Sequence, residues 1–438
     1  MHNHTQNTAV LALDLGTSSF KCGSFNSDLE IIAVASRKIV LQKKNDEQIE
    51  LDFEEAWQAA LTAVAEVSAK TRDAGFYPEA IVITSQAQTF APVNTDFAPL
   101  QNGISWLDRR AVSEAHTLAA ELTDFPQTAG LKEPTPGILI SKLLWLKNNE
   151  PATFAKAAHF PLLNEFIATR FTSIFFSDST NLGMSGIYNI SQRKLNNKVL
   201  SLLGLEAERF APVYRALGNA EPITDNIRNY LDLPHPVQVY LAGNDQSTSA
   251  VGAGLQKKGD VTVNFGTALV FYTILDQPPR NLEKNHIAGI NPINDKFFLL
   301  LLNNEFGSSI NQAREQFFPA GSYEDVYQSF RKCAREDAFI PLTAPLEIFK
   351  DKYQDKNPIV RAGSLVNYFI EQIRLLLHSI STHVQPAVLL PSGGAAESET
   401  FLSILQERLP CPVLPPRHAQ ESGLRGTAEL YYKKSSNH

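Results

Sequence analysis

Four short segments hold the side chains with chemical reach. Asp14-Leu15-Gly16-Thr17-Ser18-Ser19 ends an apolar run in a carboxylate, a glycine and three hydroxyls. Such a turn exposes backbone N–H groups and hydroxyls that can cradle phosphate oxygens, and its carboxylate can hold Mg²⁺ through water. An ordinary β-hairpin with a solvated aspartate has the same composition, and both readings stand. Gly243-Asn244-Asp245-Gln246-Ser247 supplies a second carboxylate, followed by small residues through Gly254. Asp245 is either the N-cap of a tightly packed helix or a general base that takes a proton from a substrate hydroxyl. Trp106-Leu107-Asp108-Arg109-Arg110 suits a polyhydroxylated ligand, whose carbon face stacks on indole while its hydroxyls meet an acceptor and a donor. A helix start with Asp108 as cap and Arg110 in a surface pair fits equally. Ser392-Gly393-Gly394-Ala395-Ala396-Glu397-Ser398 lets a flat ligand or a phosphate approach the backbone, or is a plain strand-to-helix turn.

These segments lie at the ends of the elements that must position them. Apolar runs predict strands over 9–14, 20–25 and 31–36, then over 80–84 and 237–242. Further strands follow over 261–265, 269–275, 298–302, 387–390 and 412–414. Helical spacing marks 53–70, 138–146, 360–381, 399–408 and 421–432, with a small-residue helix through Gly254. Strands alternating with helices predict an α/β fold. One pattern recurs: Asp14-Leu-Gly16-Thr17-Ser18 and Asn264-Phe-Gly266-Thr267-Ala268 each join two strand-like runs. The echo points to two related halves, with the boundary placed just before Gly243 and domains over 1–242 and 243–438.

The chain has 438 residues, ample for two or three domains, and a 43% hydrophobic, 19% charged composition that fits a folded globular protein. Its net charge of −7, with no basic block, argues against a nucleic-acid partner. Cys22, Cys333 and Cys411 are too far apart in sequence for a disulfide scaffold or a CxxC site, and read as buried thiols in a reducing compartment. The opening residues lack a secretory pattern, and the longest apolar run, 297–302, is too short for a membrane span. Together these features predict a cytoplasmic protein without a membrane partner. P-loop, complete G-x-G-x-x-G, H-E-x-x-H, G-x-S-x-G and EF-hand patterns are all missing.

Taken in order, the segments resemble the FGGY family of carbohydrate kinases, within the actin, sugar kinase and Hsp70 ATPase superfamily. The resemblance runs from about Leu11 to Leu430. Besides the four segments it includes Gln86, Asp178-Ser-Thr-Asn181, Gly266-Thr267 and the terminal Glu421-Ser-Gly-Leu-Arg-Gly426-Thr-Ala428. It implies two ribonuclease-H-like domains facing a central cleft, sugar mainly on the first and ATP mainly on the second. By the same resemblance Asp245 is the catalytic base and Asp14 the Mg²⁺-associated carboxylate. Gly16, Thr17, Ser18, Gly266 and Thr267 match the phosphate turns, and Gly393, Gly394, Ala395 and Ser398 the adenosine side. Gln86, Gln88, Trp106, Asp108, Arg110 and Gln246 match the sugar side.

Three departures narrow the reading. Where the glycerol kinase pattern carries Arg-Glu and the xylulokinase pattern Met-His, this chain has Ala87-Gln88. Glycerol is thereby disfavoured and D-xylulose itself put in question, with Gln88 left to meet a sugar hydroxyl. Glu397 stands where many relatives have lysine, and the stretch between Phe339 and Arg361 is short. The expectation is an ATP- and Mg²⁺-dependent kinase of a small sugar or polyol, a ketopentose first, with a homodimer as the default assembly. A sugar-sensing regulator of the same fold, a polyphosphate phosphatase and a filament-forming structural protein are the alternatives.

Overall fold

The computed structural model describes residues 7–279, 281–417 and 421–435. The first six residues, part of the opening stretch read as lacking a secretory pattern, lie outside them. The chain divides into two compact units. The first runs through Gly252 and takes back Gln277–Phe298 and the segment from Gly423; the second comprises Ala253–Asp276 and Leu299–Ser422. A single cut before Gly243 does not describe this division, because two later segments return to the first unit.

In the first unit, β1 (Thr8–Leu15), β2 (Ser19–Phe25) and β3 (Ile31–Lys38) form an antiparallel meander. Helix α1 (Phe53–Asp73) starts where Asp52 accepts hydrogen bonds from Glu54 N and Glu55 N, satisfying two orphan donors. Its buried stripe of Trp57, Leu61, Val64 and Val67 packs in one cluster with Leu11, Leu13 and Ile83 of the sheet. Strand β4 (Tyr77–Ser85) then pairs parallel to β1 on the side away from β2. After α2 (Leu139–Asn149), α3 (Leu163–Thr172) and the short edge strand β5 (Glu221–Pro222), β6 (Gln238–Asn244) pairs parallel to β4. The sheet order is β5-β6-β4-β1-β2-β3. Asp14 is in register with Thr84, and Ser85 with Leu15 and Asn244. The carboxyl ends of β1, β4 and β6 therefore meet on one edge, where α/β sheets place their ligands. Helix α4 (Asp245–Gly252) leaves from that edge. It stops at Gly252 rather than at Gly254, whose φ of +107° is outside the helical range.

The second unit repeats the pattern. β7 (Asp260–Phe265) and β8 (Leu269–Leu275) form an antiparallel pair through Gly266-Thr267, β9 (Phe297–Asn303) lies beside β8, and β10 (Val388–Ser392) pairs parallel to β7. Within this sheet the four-strand stretch β9-β8-β7-β10 follows the same order as β3-β2-β1-β4, so the repeated Gly-Thr turn sits at the same place in both. Helices α5 (Phe306–Phe317), α6 (Tyr323–Glu336), α7 (Pro358–Ser381) and α8 (Glu399–Arg408) complete this unit. The strand expected over 412–414 is a single parallel bridge from Val413 to Leu389. Helix α9 (Ser422–Ser435) follows. Among the described residues, no helix is long and apolar enough to cross a membrane. The three cysteines are buried and unbridged.

Candidate functional site

On the first unit, a ring of hydrogen bonds ties three loops together at the carboxyl edge of the sheet. Gln86 donates from Nε2 to Gly16 O at 3.2 Å, and its Oε1 accepts from Thr89 Oγ1 at 3.2 Å. Thr89 Oγ1 in turn accepts from Trp106 N at 3.1 Å, and Trp106 Nε1 donates to Thr17 Oγ1 at 2.9 Å. The turn after β1, the loop after β4 and the tryptophan loop are thereby held as one body. Trp106 stays 37% exposed, which leaves its indole accessible to a ligand. Ser18 at the turn apex is exposed, and Gly16 and Thr17 are half-buried.

The other residues of the sugar set divide between display and support. Asp108 is fully buried; its Oδ2 accepts from Ile49 N at 2.7 Å and from Arg110 Nη2 at 2.9 Å. Arg110 also reaches Glu50 Oε1 at 2.9 Å, and its guanidinium lies 4.8 Å from the centre of the Trp145 ring. These two residues thus brace the tryptophan loop from within, as neither a helix cap nor a surface pair would. Gln88 holds a left-handed backbone (φ 71°), accepts from Leu139 N at 2.9 Å and donates to Met184 O. Both ends of its amide are committed inside the protein, where the sequence reading had one of them meet a sugar.

Lys142 was missed by the sequence reading, although a lysine among the apolar residues of α2 is itself a signal. It is fully buried, and its Nζ donates to Gln88 O at 2.6 Å and Ser105 O at 3.1 Å. It therefore pins the loop after β4 to the one that carries Trp106. Burial pulls its pKa down to about 7.

Asp245 opens α4. The capping role falls to its neighbour: Asn244 Oδ1 accepts from Ser247 N at 2.9 Å. The Asp245 carboxylate is half-buried, accepts from Gln246 N at 2.8 Å, and is pushed up by burial to about 6. Gly243 makes the approach feasible. Its φ is +94°, and a Cβ there would lie 2.7 Å from Thr180 Cγ2. Gln246 is half-buried beside Asp245. Asp178 caps the short helix Ser179–Leu182 through Thr180 N and Asn181 N.

Asp14 is half-buried at the end of β1. A Cβ on Gly423 would lie 2.8 Å from Asp14 Oδ2 and 3.4 Å from Ser249 Oγ, so the first turn of α9 backs this carboxylate. A Cβ on Gly426 would lie 1.8 Å from Thr248 O. The terminal glycines, part of the resemblance without an assigned job, are what lets α9 touch α4. Among the described residues no cluster of three or more His, Cys, Asp or Glu forms a metal cage. One carboxylate fits Mg²⁺ in the form that keeps most of its water and arrives with phosphates.

The second unit holds a cavity of about 770 Å³ between the Gly266-Thr267 turn, the start of α5, α6 and the loop from Gly394 to Ser398. Gly307 N donates to Thr267 O at 2.9 Å, which fixes the turn against α5. Gly393 (φ 83°) presses on the end of β7, where a Cβ would meet Asn264 Oδ1 at 2.4 Å. At Gly394 a Cβ would meet nothing within 4 Å. The backbone is therefore bare toward the cavity, and Ala395 lines it alongside. Glu324, which carries no sequence signal, accepts from Ser398 Oγ at 2.7 Å, from Gln328 Nε2 at 2.9 Å and from Thr400 Oγ1. Ser398 meanwhile caps α8 by accepting from Phe401 N. Among the described residues, the lining has two carboxylates, Glu324 and Glu397, and no lysine or arginine. Its volume and charge suit the neutral part of a nucleotide, with phosphates at the turn.

Residues 9–252 match the FGGY family of carbohydrate kinases, N-terminal domain. A xylulose kinase of Bacillus subtilis (strain 168) is 22% identical over 320 residues, 73% of this chain and 64% of that relative. The chain thus aligns to less than two thirds of that relative's length. Among solved structures, a gluconate kinase from Lactobacillus acidophilus superposes with a TM-score of 0.86 at 19% identity, covering 99% of this chain and 90% of the other. Plasmodium falciparum glycerol kinase, solved with ADP, gives 0.86 at 16% identity, covering 98% and 90%. These likenesses establish a fold of two actin-like ATPase-type domains.

Proposed function

Since the chain belongs to the FGGY family of carbohydrate kinases, we propose that it transfers the γ-phosphoryl group of ATP to a hydroxyl of a small sugar or polyol. The observation that carries this reading is Asp245. Its carboxylate is relieved of capping by Asn244 and raised to about 6 by burial, so it is ionised near neutrality yet basic enough to accept a proton. As the substrate oxygen attacks the γ-phosphorus, Asp245 takes the hydroxyl proton. The new O–P bond forms, the bond from phosphorus to the β–γ bridging oxygen breaks, and ADP leaves. The backbone at Gly16–Ser18 and Gly266-Thr267 receives phosphate oxygens, and the cavity beside Gly394 and Ala395 holds the nucleoside. Mg²⁺ carried with the nucleotide would neutralise phosphate charge, held through water by Asp14.

On the acceptor side, Trp106 offers its indole to the carbon face of the sugar and Gln246 stands half-buried next to Asp245, while Gln86, its amide committed to Gly16 and Thr89, holds the loops together. Asp108, Arg110, Gln88 and Lys142 position that loop rather than touch the ligand. A five-carbon ketose is the first candidate: Ala87-Gln88 lacks the Arg-Glu pair that suits glycerol, and because it also lacks the Met-His of the xylulokinase pattern, D-xylulose enters the screen beside its isomers.

The test is an ATP-consumption screen with Mg²⁺ over ketoses, aldoses and polyols, run beside Asp245→Asn. Turnover that depends on one sugar class and is lost in the variant supports the proposal. Sugar binding without ATP consumption in the unaltered chain would refute it in favour of a sensor.

A further inference from the structure

The first unit holds a cavity of its own, of about 340 Å³, with no residue of the candidate site in its lining among the described residues. It is enclosed by Arg215–Leu217, by the turn 291–295 and by Leu430, Lys433 and Lys434 near the end of α9. Among the described residues, its lining carries three cations and one carboxylate, in a chain whose net charge is −7. The carboxylate, Asp295, is already engaged by Arg193 at 3.1 Å from outside the lining. Lys433 is engaged by Glu429 at 2.6 Å. That leaves Arg215 and Lys434, neither of which has a carboxylate partner among the described residues. Lys434 instead lies 4.2 Å from the centre of the Tyr240 ring.

Lysines in the last turn of a helix ordinarily answer the partial negative charge of its carbonyl end. That accounts for Lys433 and Lys434 but not for Arg215, which comes from a different segment and adds a like charge. Burial first, and Arg215 next, make Lys434 harder to protonate than a free lysine. Two cations converging on one cavity without a counter-ion cost free energy that a bound anion would return. The floor is apolar: Leu217 and Leu430 belong to the same buried cluster as Val10 and Val251. The volume exceeds that of a bare phosphate several-fold.

We propose that this cavity binds a phosphate monoester on a small carbon skeleton, with Arg215 and Lys434 on the phosphate and the Leu217–Leu430 floor under the carbons. The site does not depend on the kinase reading and would stand without it. The test is calorimetric titration of the full chain with glycerol 2-phosphate and, separately, inorganic phosphate, both with a non-hydrolysable ATP analogue saturating. Expected is one ester site per chain that weakens as salt rises, with at least tenfold loss in Arg215→Gln and in Lys434→Gln. Lys350→Gln, on an exposed residue of the second unit, should bind as the unaltered chain does. Thermal melts of the variants establish that they fold. No ester binding at millimolar concentration, or equal binding in the Arg215 and Lys434 variants, would overturn the site. Inorganic phosphate binding as tightly as the ester would overturn the claim that the skeleton is read.

Discussion

If Asp245 is the base, its altered acidity must appear in the pH profile. A carboxyl at its ordinary value near 3.8 would be ionised throughout pH 5–7 and give a flat limb; burial raises this one to about 6. The ionised fraction then climbs from about one tenth at pH 5 to about nine tenths at pH 7, so kcat/KM should rise about tenfold across that interval. Asp245→Asn should lower kcat by about 10² to 10⁴-fold and abolish the limb. Stability should move the other way. With the folded-state pKa above the unfolded one, the protonated form is favoured by folding. The cost of ionisation therefore appears as pH rises from about 4 through 6 and is fully present at 7. The displacement corresponds to at most about 3 kcal/mol, less whatever solvent screening a half-buried group receives. Asp245→Asn should therefore resist urea better than the unaltered chain at pH 7, and the gain should vanish below pH 4. Steady-state kinetics from pH 5 to 8, with urea melts at each pH, read both effects. A flat profile between pH 5 and 7, or a variant that keeps turnover, refutes the assignment.

Lys142→Met should destabilise the fold by about 2–4 kcal/mol in urea melts, because the carbonyls of Gln88 and Ser105 lose a buried donor. In the same variant KM for the sugar should rise while KM for ATP stays put. Gly426→Ala sets a methyl 1.8 Å from Thr248 O, so α9 must leave α4; a loss above about 3 kcal/mol is expected, seen as a lower melting temperature. Glu324→Ala frees Ser398 and Thr400 at the nucleoside cavity and should raise KM for ATP roughly tenfold with little change in kcat. An unchanged KM for ATP would remove Glu324 from that cavity's support.

The sequence alone determined the elements and the chemistry at their ends. Apolar runs stopped by Asp14-Leu-Gly16 or by Gly243 announce strands, because a buried strand needs a continuous apolar stretch and its exit needs backbone freedom. The repeated Gly-Thr turn announced two equivalent sheets, and the order of motifs announced the family. These signals are local, held within a few residues of chain.

Tertiary structure decided which polar group answers which. Asn244 and Asp245 are adjacent and both able to cap; only the packed geometry gives the cap to one and frees the other. Asp108 and Arg110 read as sugar contacts, yet Ile49 and Glu50, some sixty residues earlier, turn them inward. Gln88 has its partners at Leu139 and Met184, and Lys142 reaches back to Gln88 and Ser105. Gly426 is fixed by a carbonyl at Thr248, and the cationic cavity is assembled from three segments spanning Arg215 to Lys434. A hydrogen bond or an ion pair is a property of two positions in space. When those positions lie tens or hundreds of residues apart, neither side chain carries a mark of the other until the chain has folded.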